Sequence, residues 1–125
     1  LGITAEGVKK LAILDTLLGN RYLSPQSIVF IDEVEAALHP KAISAFLDIL
    51  ALLAEREIQF FIATHSYFVL KKLLLISRKK RLSIPVLSAY AGEWTAGDLR
   101  DGMPDNPIVD ESVRLYEEQV ELSLQ

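Results

Sequence analysis

The sequence predicts an α/β fold, a parallel sheet with flanking helices. Two short apolar runs, Ile28-Val29-Phe30-Ile31 and Ile58 to Ala63, read as buried parallel strands. The segments between and around them carry apolar residues at helical spacing, so the order is α-β-α-β-α-β-α, and strands separated by helices imply right-handed parallel crossovers.

Each element has a local reason. Over residues 4–19, Val8, Leu11, Leu14, Leu17 and Leu18 recur at helical spacing, and Gly19-Asn20 is a stop. Ser24-Pro25 breaks the chain before a first strand over 27–31. Pro40 sits where the first turn of a helix tolerates it, and that helix runs to about Glu55 with the stripe Ile43, Phe46, Leu47, Leu50, Leu53 and Ala54. The second strand covers residues 58–63. Ser66 caps the next helix, whose inward residues include Val69, Leu70, Leu73 and Leu74. Arg78-Lys79-Lys80-Arg81 reads as a basic loop. Residues 83–90 read as a third strand, with Pro85 at its start or on a sheet edge. Residues 92–107 are rich in turn formers, with room for a short hairpin around Trp94. Asn106-Pro107 opens a last helix with Asp110 and Glu111 in its first turn and the stripe Val109, Val113, Tyr116 and Val120.

Bulk properties bound the function. The chain has 125 residues, 50% of them apolar, which is enough for a core and fits one small domain or a piece of a larger one. It has no cysteine, so disulfides and thiolate metal sites are excluded and a reducing, cytoplasmic setting is compatible. A net charge of -4 gives no global basic field for nucleic acid. The apolar stretches are too short or too interrupted to span a bilayer. The chain starts at Leu1 rather than Met, which reads as a segment of a longer protein.

The chemistry concentrates at two strand tips. The first strand ends in Asp32-Glu33, the second in Thr64-His65. Adjacent carboxylates at a strand end point differently, so one can serve Mg²⁺ through its water shell while the other polarises an attacking water. The same pattern also describes a strand that ends in solvated acids. His65 follows Asp32 by 33 residues, about one strand-helix-strand crossover, so its imidazole can reach a phosphate at the same edge. A strand-end histidine is also a common helix cap or surface residue. Glu35-Ala36-Ala37-Leu38-His39-Pro40 is a helix entrance that lies beside the first tip. Thr4 to Lys10, with Gly7, opens a helix whose amides offer an anion seat, or simply a cap. Arg78 to Arg81 suits either nucleic acid phosphates or solvent, and the acidic balance favours solvent. Tyr90 and Trp94 suit hairpin packing better than a stacking role.

In combination these segments resemble the C-terminal half of an ABC-type ATPase head, most closely the RecF/SMC-like group that includes the ATPase portion of overcoming-lysogenization-defect proteins. Ile28 to Glu33 resembles the Walker B strand, Glu35 to Pro40 the D-loop in its E-x-x-L-H-P form, and Ile62 to Ser66 the switch strand. The resemblance covers roughly residues 3–75. It implies the C-terminal lobe of a P-loop NTPase fold, with 1–125 as one partial domain. It implies ATP and Mg²⁺ as cofactors, Asp32 as the Mg²⁺ ligand, Glu33 as catalytic base and His65 as the γ-phosphate histidine. Thr4 to Lys10 resembles a degenerate signature segment, which implies a nucleotide contact at Gly7. The implied partners are an N-terminal P-loop lobe of the same protein, a second head in a homodimer, and a nucleic acid or effector protein reached through the full-length protein. The sequence departs from the family in lacking a G-x-x-x-x-G-K-[ST] loop, the Q-loop lobe and the Ser-Gly-Gly run. Two other readings stand beside this one. One is a non-catalytic interaction domain that keeps the fold. The other is a metal-dependent phosphatase or nuclease using Asp32 and Glu33 with His39 and His65.

Overall fold

β-Branched and aromatic side chains dominate both apolar runs and favour extended backbone. The runs form β1 (Ile28–Asp32) and β2 (Gln59–Ala63). The computed structural model describes Ala12 together with residues 24–36 and 38–125; of the helix expected over 4–19, only Ala12 falls among them. The chain divides into two compact units, Leu1–His65 and Ser66–Gln125. Both are mixed α/β, and among the described residues each holds one two-stranded sheet.

In the first unit β1 and β2 pair in parallel, with Ile28 opposite Gln59 and Asp32 opposite Ala63. The crossover between them is α1 (Pro40–Ala54), with Pro40 in its first turn. His39 is its N-cap, and its Nδ1 accepts from the Lys41 N–H at 3.3 Å. Helix α1 packs on β2 and buries Ile43, Phe46, Leu47, Leu50 and Ala51. Ala51, rather than Leu53 and Ala54, completes the stripe, because it follows Leu47 by one helical turn on the same face. Phe30 and Phe61 lie opposite one another in register and stack with centroids 4.9 Å apart.

The second unit begins with α2 (Tyr67–Lys80), capped by Ser66, whose Oγ accepts from the Val69 N–H at 3.3 Å. The basic run expected as a loop is instead the last turn of this helix, and Arg81 caps it in the left-handed conformation at φ 54°. Cations there complement the partial negative charge of the helix C-terminus. The fully buried Ser77 donates from Oγ to the Leu82 carbonyl at 2.6 Å and pins the chain as it leaves.

The third strand differs from expectation. β3 (Pro85–Tyr90) does not join the parallel sheet; it pairs antiparallel with β4 (Glu93–Asp98). Tyr90 and Glu93 close the hairpin, and the two residues between them, Ala91 and Gly92, have φ of 52° and 81°. Positive φ at both central positions is the signature of a type I′ turn, whose twist suits a two-residue hairpin. A partner only two residues away requires far less loop closure than a parallel partner across a crossover. A 3₁₀ turn, Leu99–Asp101, follows β4 and buries Leu99 against α2. Asp98 caps that turn through the Arg100 N–H and also accepts from the Ser83 hydroxyl and the Ile84 N–H. The last helix, α3 (Pro107–Ser123), has Asn106 as its cap, bonded to the Val109 N–H at 3.0 Å and to Ser88 Oγ at 3.1 Å. Its expected stripe is not a core: no α3 residue is buried, and Tyr116 is 66% exposed.

Ala91 holds a left-handed conformation that asparagine adopts at lower cost. Ala91→Asn should therefore stabilise the protein by about 0.5–1 kcal/mol in denaturant unfolding. A loss of stability would argue against the type I′ turn.

Candidate functional site

Parallel pairing brings the C-terminal ends of β1 and β2 to one edge, with Asp32 directly opposite Ala63. The ladder runs one rung further, because the Glu33 N–H donates to the Ala63 carbonyl at 2.8 Å. At Glu33 the backbone then turns into the left-handed region, at φ 51°. For a non-glycine residue this costs about 1–2 kcal/mol, and such strain clusters at functional sites. The turn closes through the Ala36 N–H to the Glu33 carbonyl at 2.9 Å and buries Val34 completely.

The turn brings Glu35 over the tip of β2. Thr64 Oγ1 donates to Glu35 Oε1 at 2.7 Å, and the His65 N–H donates to Oε2 at 3.4 Å. The His65 imidazole lies between two acids, with Nδ1 at 3.6 Å from both Glu33 Oε1 and Glu35 Oε2. The three side chains differ in exposure: His65 is 74% exposed, Glu33 51% and Glu35 only 15%. Burial pushes the Glu35 carboxyl up. The hydrogen bonds from Thr64 and from the Glu35 and His65 backbone, with the nearby imidazole, outweigh it and leave the pKa below the ordinary glutamate value.

Of the residues singled out in the sequence, Asp32, Glu33 and His65 meet at this edge. Gly7 lies outside the described residues. His39 is occupied as the cap of α1. Arg78 to Arg81, Tyr90 and Trp94 belong to the Ser66–Gln125 unit, and Tyr90 and Trp94 are exposed on its hairpin. Sequence reasoning treated Glu35 as part of a helix entrance and missed its grip on Thr64 and His65. An acid two residues beyond the Asp-Glu pair, matched to a Thr-His pair, is the available signal. Among the described residues no group of three His, Cys, Asp or Glu side chains is placed to hold a metal ion. None of the described helices is long and apolar enough to cross a membrane.

The exposed acids and the histidine stand at the carboxyl ends of the strands of a β-α-β unit, the edge at which α/β sheets bind ligands. The sequence model of the family described as "AAA domain, putative AbiEii toxin, Type IV TA system" matches residues 5–71, more than half of the chain. The chain belongs to this family of AAA domains. The matched stretch contains β1, α1, β2 and the whole strand-tip site. Comparison with curated proteins finds no significant match, and comparison with solved structures finds none either.

The Thr64 bond stabilises the charged form of Glu35, so its contribution is fully present above the ordinary value of 4.5 and is lost as pH falls through the lowered pKa. Thr64→Val should cost about 1–2 kcal/mol at neutral pH. That cost should shrink in acid, below the ordinary carboxylate range. Urea unfolding of the two forms across pH checks this, and a pH-independent difference would remove the ionised carboxylate from the explanation.

Proposed function

We propose that the chain is the C-terminal portion of an ABC/RecF/SMC-like ATPase domain, one partial domain that binds and hydrolyses ATP together with a P-loop lobe supplied elsewhere in the same protein. The observation that supports this best is the meeting of Asp32, Glu33 and His65 at one sheet edge, with His65 Nδ1 3.6 Å from Glu33.

Asp32, an exposed carboxylate at the end of β1, is a suitable single protein ligand for Mg²⁺. This ion takes most of its shell from water and phosphate oxygens and needs only one or two carboxylates. Bound with ATP, Mg²⁺ neutralises phosphate charge and makes the γ-phosphoryl group easier to attack. Glu33 orients the attacking water and takes its proton. His65, with its ring 74% exposed, is free to meet the γ-phosphate on this reading. Gly7 remains the proposed nucleotide contact of the signature segment.

Three carboxylates gather at this edge against one histidine, so the edge by itself repels phosphate. A P-loop lysine and Mg²⁺ supply the missing positive charge, and this segment alone binds ATP weakly. On the same reading two heads form a homodimer around the nucleotides in the cytoplasm, and the full-length protein couples hydrolysis to a nucleic acid or an effector protein.

Mg²⁺-dependent ATP hydrolysis by the full-length protein tests the reading. Glu33→Gln should retain ATP but lose about 100-fold or more in turnover and accumulate as the ATP-bound dimer. Normal turnover in that variant would remove Glu33 from the base role. Asp32→Ala should raise the Mg²⁺ concentration needed for ATP binding. A parent that neither binds nor hydrolyses ATP would leave a non-catalytic interaction domain.

A further inference from the structure

Glu35 solves a problem created by Glu33. In a parallel ladder one residue donates its N–H to one neighbour and accepts at its carbonyl from the residue two further along. Glu33 makes the first of these bonds, to the Ala63 carbonyl. The second belongs to the His65 N–H. The backbone instead leaves the strand at Glu33, at φ 51°, its carbonyl accepts from the Ala36 N–H, and the His65 N–H donates to the Glu35 side chain. The His65 amide therefore loses its strand partner at the position where the imidazole must be placed. The Glu35 carboxylate takes over: Oε2 accepts from the His65 N–H, and Oε1 from the Thr64 hydroxyl.

We propose that Glu35 is a positioning residue, whose side chain replaces the missing rung of the sheet and holds His65 at the site edge beside Glu33. Three observations support it. Glu35 is the less exposed of the two carboxylates beside His65 Nδ1, and a carboxylate taken out of water needs bonds that repay its desolvation. Both of its oxygens are used, each on a different residue of the Thr64–His65 pair. Its Oε2 also stands 3.6 Å from Nδ1, so one oxygen meets both the backbone and the ring of His65. Glutamine offers one acceptor oxygen in place of two, so at most one of the two donors keeps its present partner atom. The catalytic consequence rests on the ATPase reading; the structural one does not.

The experiment has two arms in the full-length protein. Isotope-labelled histidine, with the His65 signal assigned through His65→Ala, reports the ring directly. Glu35→Ala should shift and broaden the His65 imidazole resonances, with Glu35→Gln intermediate; the glutamine form also serves where the alanine form does not fold. In ATP hydrolysis Glu35→Ala should lower kcat on the order of 10- to 100-fold, with little change in KM for ATP. On the His65→Ala background the same substitution should cost less than about 2-fold, because the group it positions is gone. Unchanged imidazole signals in Glu35→Ala would overturn the proposal. So would an equal kcat loss with and without His65. A parent without ATPase activity would overturn the catalytic reading alone, and the imidazole arm would still decide the positioning role.

Discussion

The bond from the Glu33 N–H to the Ala63 carbonyl is the constraint on which the site depends. It is the last rung of the parallel ladder, and it aligns the two strand tips so that Asp32, Glu33, Thr64 and His65 share one edge. A slip of one residue would turn Val29 and Ile31, now the more covered side chains of β1, to the other face and would move the acids out of line with His65. The register that covers Val29 and Ile31 is thus the same register that assembles the polar edge.

The strained turn after that rung is stabilised by what it positions. Its left-handed residue costs about 1–2 kcal/mol, while complete burial of Val34 returns about 1.5–3 kcal/mol. The same turn sorts the carboxylates by environment. Asp32 and Glu33 remain in water, where a cation or a proton can reach them, whereas Glu35 is withdrawn and fully engaged by donors. Identical carboxyl groups on Glu33 and Glu35 thus sit in two different environments, set by burial and hydrogen bonding.

Much of this was legible in the sequence, for local reasons. Pro40, Ser66 and Asn106-Pro107 mark helix starts by capping and fixed φ, and the structure starts its helices at these marks. The Asp-Glu and Thr-His pairs mark the ends of apolar runs, and β1 and β2 end there within a residue. What was not legible depends on partners. Val86 and Leu87 suit a parallel or an antiparallel strand equally, and the deciding turn uses Ala91 where asparagine is the usual signal. Periodicity shows that α3 has an apolar face but not whether anything covers it. Glu35 was hidden for a similar reason: its task exists only because Glu33 leaves the ladder, and nothing in the composition announces a left-handed glutamate.

The turn is tied to the unit by unlike anchors. The Glu33 amide joins it to the end of β2, Val34 and Leu38 bury into the core, and Glu35 grips Thr64 and His65. His39 then fastens the start of α1 through the Lys41 amide. The segment that carries an acid of the site is therefore continuous with the helix cap, and the helix packs on the strand that presents His65. This is a closed loop of contacts: β1 leads to the turn, the turn to α1, α1 to β2, and the tip of β2 returns to the turn through Glu35. Both the Glu33 turn and the His65 backbone are therefore held through the same Glu35 segment. The two residues proposed to act on the phosphate thus share one supporting contact, and Glu35 supplies it.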